Sequence, residues 1–292
     1  MDTVGVIGLG QMGSAMVETL VREGFRVVGT DLDDARRKIA EGHGAETVDT
    51  IAEVCAETDM VVLSLPEARH VEAVVSGPGG VLEQNRPGVM VMDAATSEPE
   101  MSRKLSGLMA EAGHGFLDTP VSGGPQGARA GTLAVMVGGE EADFERARPV
   151  LEALAGKLSL IGPSGSGNVV KLINNLMAAA HFVVAGEAAL LAERAGVDPA
   201  RLFEVASSGS GRSFATEVAM PNFVLTGTRD FGFAAALMRK DVRLAMALAD
   251  ATGTETRMAA LTGQIWAASA DELEADADFT EIPYQIIQKG KA

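Results

Sequence analysis

The strongest constraint on this chain lies at its start. Thr3-Val4-Gly5-Val6-Ile7 reads as a buried strand, and Gly8-Leu9-Gly10-Gln11-Met12-Gly13 follows at once, opening an apolar-periodic helix that runs to about Glu23. A Gly-x-Gly-x-x-Gly match alone is weak, since a chain with 34 glycines can produce one by chance. Here it sits between strand and helix, as dinucleotide binding requires. Gly8 makes the tight turn, Gly10 lets the backbone approach a pyrophosphate, and Gly13 allows close packing of helix on strand. Gln11 and Met12 lie in the first helical turn, where free N–H groups face the phosphates, and count with the glycines as cofactor contacts. A second strand, Arg26 to Thr30, ends at Asp31, eighteen residues beyond Gly13. An acid there holds an adenosine ribose diol. Asp31 or Asp33 has the alternative role of capping the next helix; strand end and spacing favour the ribose role for Asp31.

The first half continues to alternate strands with helices. Met60 to Leu65 and Val89 to Asp93 are short apolar runs bounded by turn residues, as expected of parallel strands buried on both faces. Leu65, Pro66 and Thr96 fall at or just beyond strand C-termini, the edge where an open parallel sheet binds its ligand, and are expected to touch the cofactor. Later strands are expected at Gly115 to Leu117, Leu133 to Val137 and Leu158 to Ile161. Beyond Pro163 only helices are read, one of them capped by Asp198 with Pro199 in its first turn. The fold expected is α/β: a Rossmann-type parallel-sheet domain over residues 1–163, then an all-helical domain over 164–292 that serves substrate binding and oligomerisation. A long helix joins the two.

Composition narrows the partners. A formal net charge of −16 argues against nucleic acid or an anionic membrane surface, since both need a basic footprint. The single cysteine, Cys55, permits no intramolecular disulfide and no ligand cluster, so a reducing compartment is expected and a metal is not. Cys55 reads as core packing. With the first strand beginning at the third residue, a cytoplasmic location is expected.

Two further stretches carry chemistry. In Gly165-Ser166-Gly167-Asn168-Val169-Val170-Lys171-Leu172-Ile173-Asn174-Asn175, a helix would place Lys171 and Asn175 on one face. A lone lysine among Val, Leu and Ile is costly to desolvate, which disfavours its charged form and suits it to proton exchange. The competing reading is a lysine whose stem lies on the core while its head reaches water. A helix from Ser166 to Ala195 would be about 45 Å long. It is apolar nearly all round, so protein must cover it on most sides, a second subunit included, and His181 within it reads as a core or interface histidine. In Asp118-Thr119-Pro120-Val121-Ser122-Gly123-Gly124-Pro125-Gln126-Gly127-Ala128, a serine followed by two glycines leaves backbone N–H groups unshielded, a cradle for a carboxylate or phosphate.

Together the Gly8 to Gly13 fingerprint, Asp118 to Ala128, Gly165 to Asn175 and the late Lys240-Asp241 pair followed by Leu244 resemble the β-hydroxyacid dehydrogenase family over essentially the whole chain. That family includes 3-hydroxyisobutyrate dehydrogenase, tartronate semialdehyde reductase and succinic semialdehyde reductases. The resemblance implies an NAD(P)-dependent oxidoreductase that interconverts a short 3-hydroxy acid and its semialdehyde by hydride transfer. By it, Lys171 is the catalytic acid/base, and Ser122, Gly123 and Gly124 bind the substrate carboxylate. Asn175 orients the substrate, and Lys240 closes the site near cofactor and substrate. NAD is expected over NADP because Asp31 would repel a 2′-phosphate. The substrate is a small anion, 3-hydroxyisobutyrate first and tartronate or succinic semialdehyde next, and the assembly is a homodimer or homotetramer. One position departs from the family's pattern: Ala95-Thr96 stands where many members have Ser-Thr. Residues 207–216, Phe214 among them, fall where the family varies its substrate pocket. A 6-phosphogluconate dehydrogenase shares the fold but has a longer helical domain. A catalytically silent nucleotide-binding protein and an imine reductase, which lacks the lysine, are the other readings, and Lys171 counts against both.

Overall fold

Strands and helices alternate from the third residue because the apolar runs are short, rich in Val, Met and Leu, and bounded by turn residues. In a computed structural model that describes residues 2–84, 86–274 and 276–290, the chain forms two compact units, 1–171 and 172–292. The first unit runs β1 (Thr3–Ile7), α1 (Gln11–Arg22), β2 (Arg26–Thr30), α2 (Asp34–Gly42), β3 (Glu46–Thr47), α3 (Ile51–Glu57), β4 (Met60–Leu63), α4 (Ala68–Ser76), β5 (Met90–Asp93), α5 (Pro99–Glu111) and β6 (Gly115–Asp118). It continues through β7 (Val121–Ser122), α6 (Gly124–Ala130), β8 (Leu133–Gly138), α7 (Glu141–Leu154) and β9 (Ala155–Gly162) into the first turns of α8 (Ser166–Arg194).

The strands form one sheet in the order β3-β2-β1-β4-β5-β6-β8-β7, with β9 paired to β8. All pairs from β3 to β6 are parallel, whereas β8 runs antiparallel to β6 and to β7. The expected parallel sheet is therefore parallel in its first six strands and mixed beyond. The two-residue strands β3 and β7 have no apolar run of their own and escape a reading based on periodicity. Apolar clusters fill both faces. Val4, Val6, Met16 and Leu20 pack with Leu133, Val135 and Leu151 on one side, and Val28, Val61, Leu63, Val91 and Leu105 with Cys55 on the other. The order in which the parallel strands are added to the sheet reverses between β1 and β4, and the C-terminal edge at such a point is where these sheets take ligands.

The second unit is built from the rest of α8, α9 (Pro199–Ala206), a π-helical stretch (Ala215–Val224), α10 (Ala235–Ala251), α11 (Arg257–Ala268) and α12 (Glu281–Lys289). Asp198 caps α9 by accepting from the Ala200 N–H at 2.9 Å, with Pro199 opening the helix. The core gathers Phe182, Met238, Trp266 and Phe279, and the Trp266 indole N–H donates to the Ala179 carbonyl at 3.1 Å. Phe182, Phe214, Phe231 and Phe279 form a chain of tilted and edge-on rings with centroids 4.5–6.3 Å apart. By length and composition alone α8 is long and apolar enough to cross a membrane, and less than half of its apolar window is buried within the chain.

Candidate active site

The cofactor-binding candidates lie along one edge of the first unit. Gly8 takes a positive φ of 92°, and a side chain there would strike the Ser64 carbonyl at the neighbouring strand end. Gly13 lies against the Gly8 carbonyl with no room for a Cβ, which brings α1 close onto the turn. Gly10 faces open space and caps α1 with no side-chain hydrogen bond, so the first-turn N–H groups of Gln11 and Met12 are offered outward. Leu65 and Pro66 follow β4 and Thr96 follows β5, both parallel neighbours in the series that starts at β1.

Asp31 directly follows β2 with its carboxylate largely enclosed. Its Oδ2 accepts from the Leu9 N–H inside the glycine turn at 2.7 Å and its Oδ1 from the Asp33 N–H at 2.9 Å. Asp33, not Asp31, caps α2 through the Ala35 N–H at 2.9 Å. Asp31 is thus left at the strand end beside the turn. The Arg36 guanidinium stands 3.6 Å from it. A turn with no Cβ, an uncapped helix start and an acid at the next strand end fit a dinucleotide's pyrophosphate and ribose.

The same unit holds the glycine cradle and the lysine. Ser122 closes the short β7. Gly123 and Gly124 then take φ values of 131° and 64°, a backbone conformation that favours glycine at both positions. Lys171 lies on α8 and is only 7 % exposed. The segment expected to be helical from Ser166 to Ala195 is helical from Ser166 to Arg194.

Within the second unit, Asn175 is buried on α8 and its Nδ2 donates to the Asp241 Oδ2 at 2.6 Å. Asn174 donates to the Asn175 Oδ1 at 3.1 Å. The Lys240 ammonium stands 3.3 Å from the other Asp241 oxygen. Asp241, 2 % exposed, therefore holds both side chains assigned to substrate. Sequence reasoning passed it over as half of a Lys-Asp pair. Its signal was helical spacing, since Leu244 and Ala245 beside it are buried on α10. Asp118 and Asn168, among other buried polar residues, also went without a role.

The fold and the edge are those of a dinucleotide-binding protein. Residues 3–162 match the family described as the NAD binding domain of 6-phosphogluconate dehydrogenase, and residues 165–285 that described as NAD-binding of NADP-dependent 3-hydroxyisobutyrate dehydrogenase. Among curated relatives, 2-(hydroxymethyl)glutarate dehydrogenase of Eubacterium barkeri is 37 % identical over 90 % of this chain and 87 % of its own length. The 3-hydroxyisobutyrate dehydrogenase of Pseudomonas aeruginosa is 35 % identical over 99 % and 98 %. A solved Mycobacterium tuberculosis 3-hydroxyisobutyrate dehydrogenase with L-serine superposes with a TM-score of 0.89 at 35 % identity, covering 98 % of this chain and 99 % of that one. The chain belongs to the β-hydroxyacid dehydrogenase family. It is an NAD(P)-dependent oxidoreductase of 3-hydroxy acids.

Proposed function

We propose that the protein interconverts a short 3-hydroxy acid and its semialdehyde, with 3-hydroxyisobutyrate the leading substrate and Lys171 the proton-transfer group. The observation that carries this reading is the lysine itself, enclosed on a helix where a long cationic side chain ordinarily reaches water. When bound, NAD(P) supplies the hydride acceptor or donor. In the oxidising direction neutral Lys171 takes the hydroxyl proton at Nζ, and in reduction its ammonium returns a proton to the developing alkoxide oxygen. Ser122 and the N–H groups of Gly123 and Gly124 hold the substrate carboxylate. Asn175 and Lys240, both braced by Asp241, orient the remainder.

The substrate reading is supported by what the relatives' names share. 3-Hydroxyisobutyrate, 2-(hydroxymethyl)glutarate and L-serine are all 3-hydroxypropanoates that differ in the group on C2: methyl, carboxyethyl or amino. A cradle for the carboxylate and a lysine for the hydroxyl read that common core. Phe214, 41 % exposed in a cluster of aromatic rings, suits a methyl group better than a second charge. Tartronate and succinic semialdehydes are the rival substrates within the family. NAD is the preferred dinucleotide because the Asp31 carboxylate accepts ribose hydroxyls and repels a 2′-phosphate. We place the enzyme in the cytoplasm, with a small anion and neither nucleic acid nor membrane as partner. The exposed Ile173, Met177, Val184 and Leu191 lie on one side of α8 at heptad-like spacing, which supports a homodimer or homotetramer.

Lys171→Ala tests the reading. Turnover with 3-hydroxyisobutyrate is expected to fall about 10²- to 10⁴-fold while dinucleotide binding holds. Wild-type kcat in the variant sinks the assignment. A panel with L-serine, 2-(hydroxymethyl)glutarate, the two semialdehydes and the methyl ester of 3-hydroxyisobutyrate ranks the C2 group, and an ester used as well as the acid removes the carboxylate cradle.

A further inference from the structure

The helix that carries Lys171 is capped from a distance. The first N–H groups of a helix need acceptors, and a Ser, Thr, Asp or Asn at its start is the usual source. At α8 the acceptor comes from the end of β6. The Asp118 Oδ1 takes the Gly165 N–H at 2.7 Å and its Oδ2 takes the Asn168 N–H at 2.9 Å, with the Gly167 N–H directed at the same carboxyl. Space for this carboxylate is cut by glycines: a Cβ would lie 2.9 Å from Oδ2 at Gly167 and 2.5 Å from Oδ1 at Gly138. Asp118 is 0 % exposed, and its burial pushes the carboxyl above the usual range even though the backbone donors oppose that rise.

Asn168, also 0 % exposed, extends the clamp through its side chain. Its Oδ1 accepts from the Ser97 N–H at 3.0 Å and its Nδ2 donates to the Ser102 Oγ at 3.0 Å. Ser97 directly follows Thr96, on the loop between β5 and α5. Asn168 precedes Lys171 by three residues, about 4.5 Å of helix rise. One node thus ties the loop assigned to the cofactor and the end of β6 to the turn from which the lysine projects. A cap that served stability alone needs the carboxylate and no bridge to the Thr96 loop.

We propose that Asp118 and Asn168 are positioning residues for the reaction, holding the first turn of α8 in register with the Thr96 loop so that the Lys171 Nζ stays where the substrate oxygen must be. This rests on the reading of Lys171 as the acid/base. Both side chains are fully buried, with their polar atoms turned to the protein rather than to a ligand. Their effect reaches the chemistry because a displacement of about 1 Å at a reacting group costs up to about 10²-fold in rate.

The test uses the full-length protein with 3-hydroxyisobutyrate and NAD. In Asn168→Ala and Asp118→Asn, kcat is expected to fall about 10- to 100-fold with the Kd for NAD unchanged, and the pH profile of kcat to move because Lys171 titrates in altered surroundings. Added to Lys171→Ala, Asn168→Ala should lower the residual turnover no further, since residues acting as a unit are not additive. Ser102→Ala, which leaves both backbone clamps in place, gives a smaller kcat loss with the same direction of pH displacement and carries the test if the deeper variants do not fold. Variants with a lowered Tm but wild-type kcat and pH profile would overturn the proposal, as would a loss that adds in full to that of Lys171→Ala. Wild-type kcat in Lys171→Ala itself defeats the acid/base reading instead, so the two failures are distinguishable.

Discussion

The Gly8 to Gly13 turn of the first unit and the Asp241 centre of the second solve opposite problems. In the turn, the geometry depends on side chains that are missing. Backbone approaches backbone where Gly13 meets the Gly8 carbonyl, and the space above Gly10 stays open. At Asp241, the arrangement depends on one side chain placed in contact with two others, through the Asn175 amide at 2.6 Å and the Lys240 ammonium at 3.3 Å. A site made of backbone fails abruptly when any Cβ intrudes. One made of side chains fails by degrees, because each partner can re-aim when the centre is altered.

Substitution at the two helix-turn glycines gives the sharpest form of this contrast. Gly13→Ala should abolish dinucleotide binding and cost about 1–3 kcal/mol of stability, since neither carbonyl nor helix can yield without shifting the turn. Gly10→Ala meets nothing in the folded protein, so Tm should hold while affinity for NAD falls about tenfold or more through a lost backbone contact to phosphate. Calorimetric titration beside thermal melts checks both, and equal effects on Tm would erase the distinction between the glycine that packs and the glycine that binds.

Asp241→Ala removes the acceptor of Asn175 and the counter-charge of Lys240. Stability should drop by about 1–3 kcal/mol, and KM for the hydroxy acid should rise. Asp241→Asn should recover part of that KM, because its amide oxygen still accepts from Asn175. Steady-state kinetics with unchanged KM in both variants would remove Asp241 from the substrate site. At Asp31, replacement by Asn should narrow the preference for NAD over NADP, measured as the ratio of kcat/KM values, while Arg36 beside it favours the 2′-phosphate. An unaltered ratio would place the choice of dinucleotide elsewhere.

The smallest effect belongs to a residue far from the chemistry. The His114 Nδ1 accepts from the Val89 N–H at 3.1 Å, and burial holds its imidazole below the ordinary value of 6.5. A depressed pKa in the folded state means that stability is complete above about pH 6.5 and declines as pH falls, because the unfolded chain takes up the proton first. His114→Asn keeps an acceptor for Val89 without the titration, so its Tm should be flatter between about pH 5 and pH 7 than that of the native chain. Parallel slopes would assign the acid sensitivity to other groups.

Much of the first unit could be read directly. The strand, glycine turn and helix at the N-terminus, Asp31 at the next strand end, the apolar runs at β4 and β5 and the cap of α9 by Asp198 all rest on local rules: periodicity, φ preference and nearest-neighbour hydrogen bonds. The reversal of β8 against β6 was not legible, because an apolar strand has the same pattern in either direction. Nor did the two-residue strands β3 and β7 announce themselves, since they are defined by their partners.

The sites divide in the same way. By itself the sequence determined the strand, glycine turn and helix at the N-terminus, the strand ends on which Asp31 and Thr96 fall and that Lys171 stands on an apolar helix, because each of these is settled within a few residues of chain. Only the tertiary structure decided that Asp118 caps a helix 47 residues further on, that Asn168 reaches the loop of Thr96, and that Asp241 braces Asn175 from 66 residues away. Those bonds join residues with no local relationship. A buried polar side chain shows in sequence only as an interruption in an apolar pattern, and its partner is chosen when the chain packs.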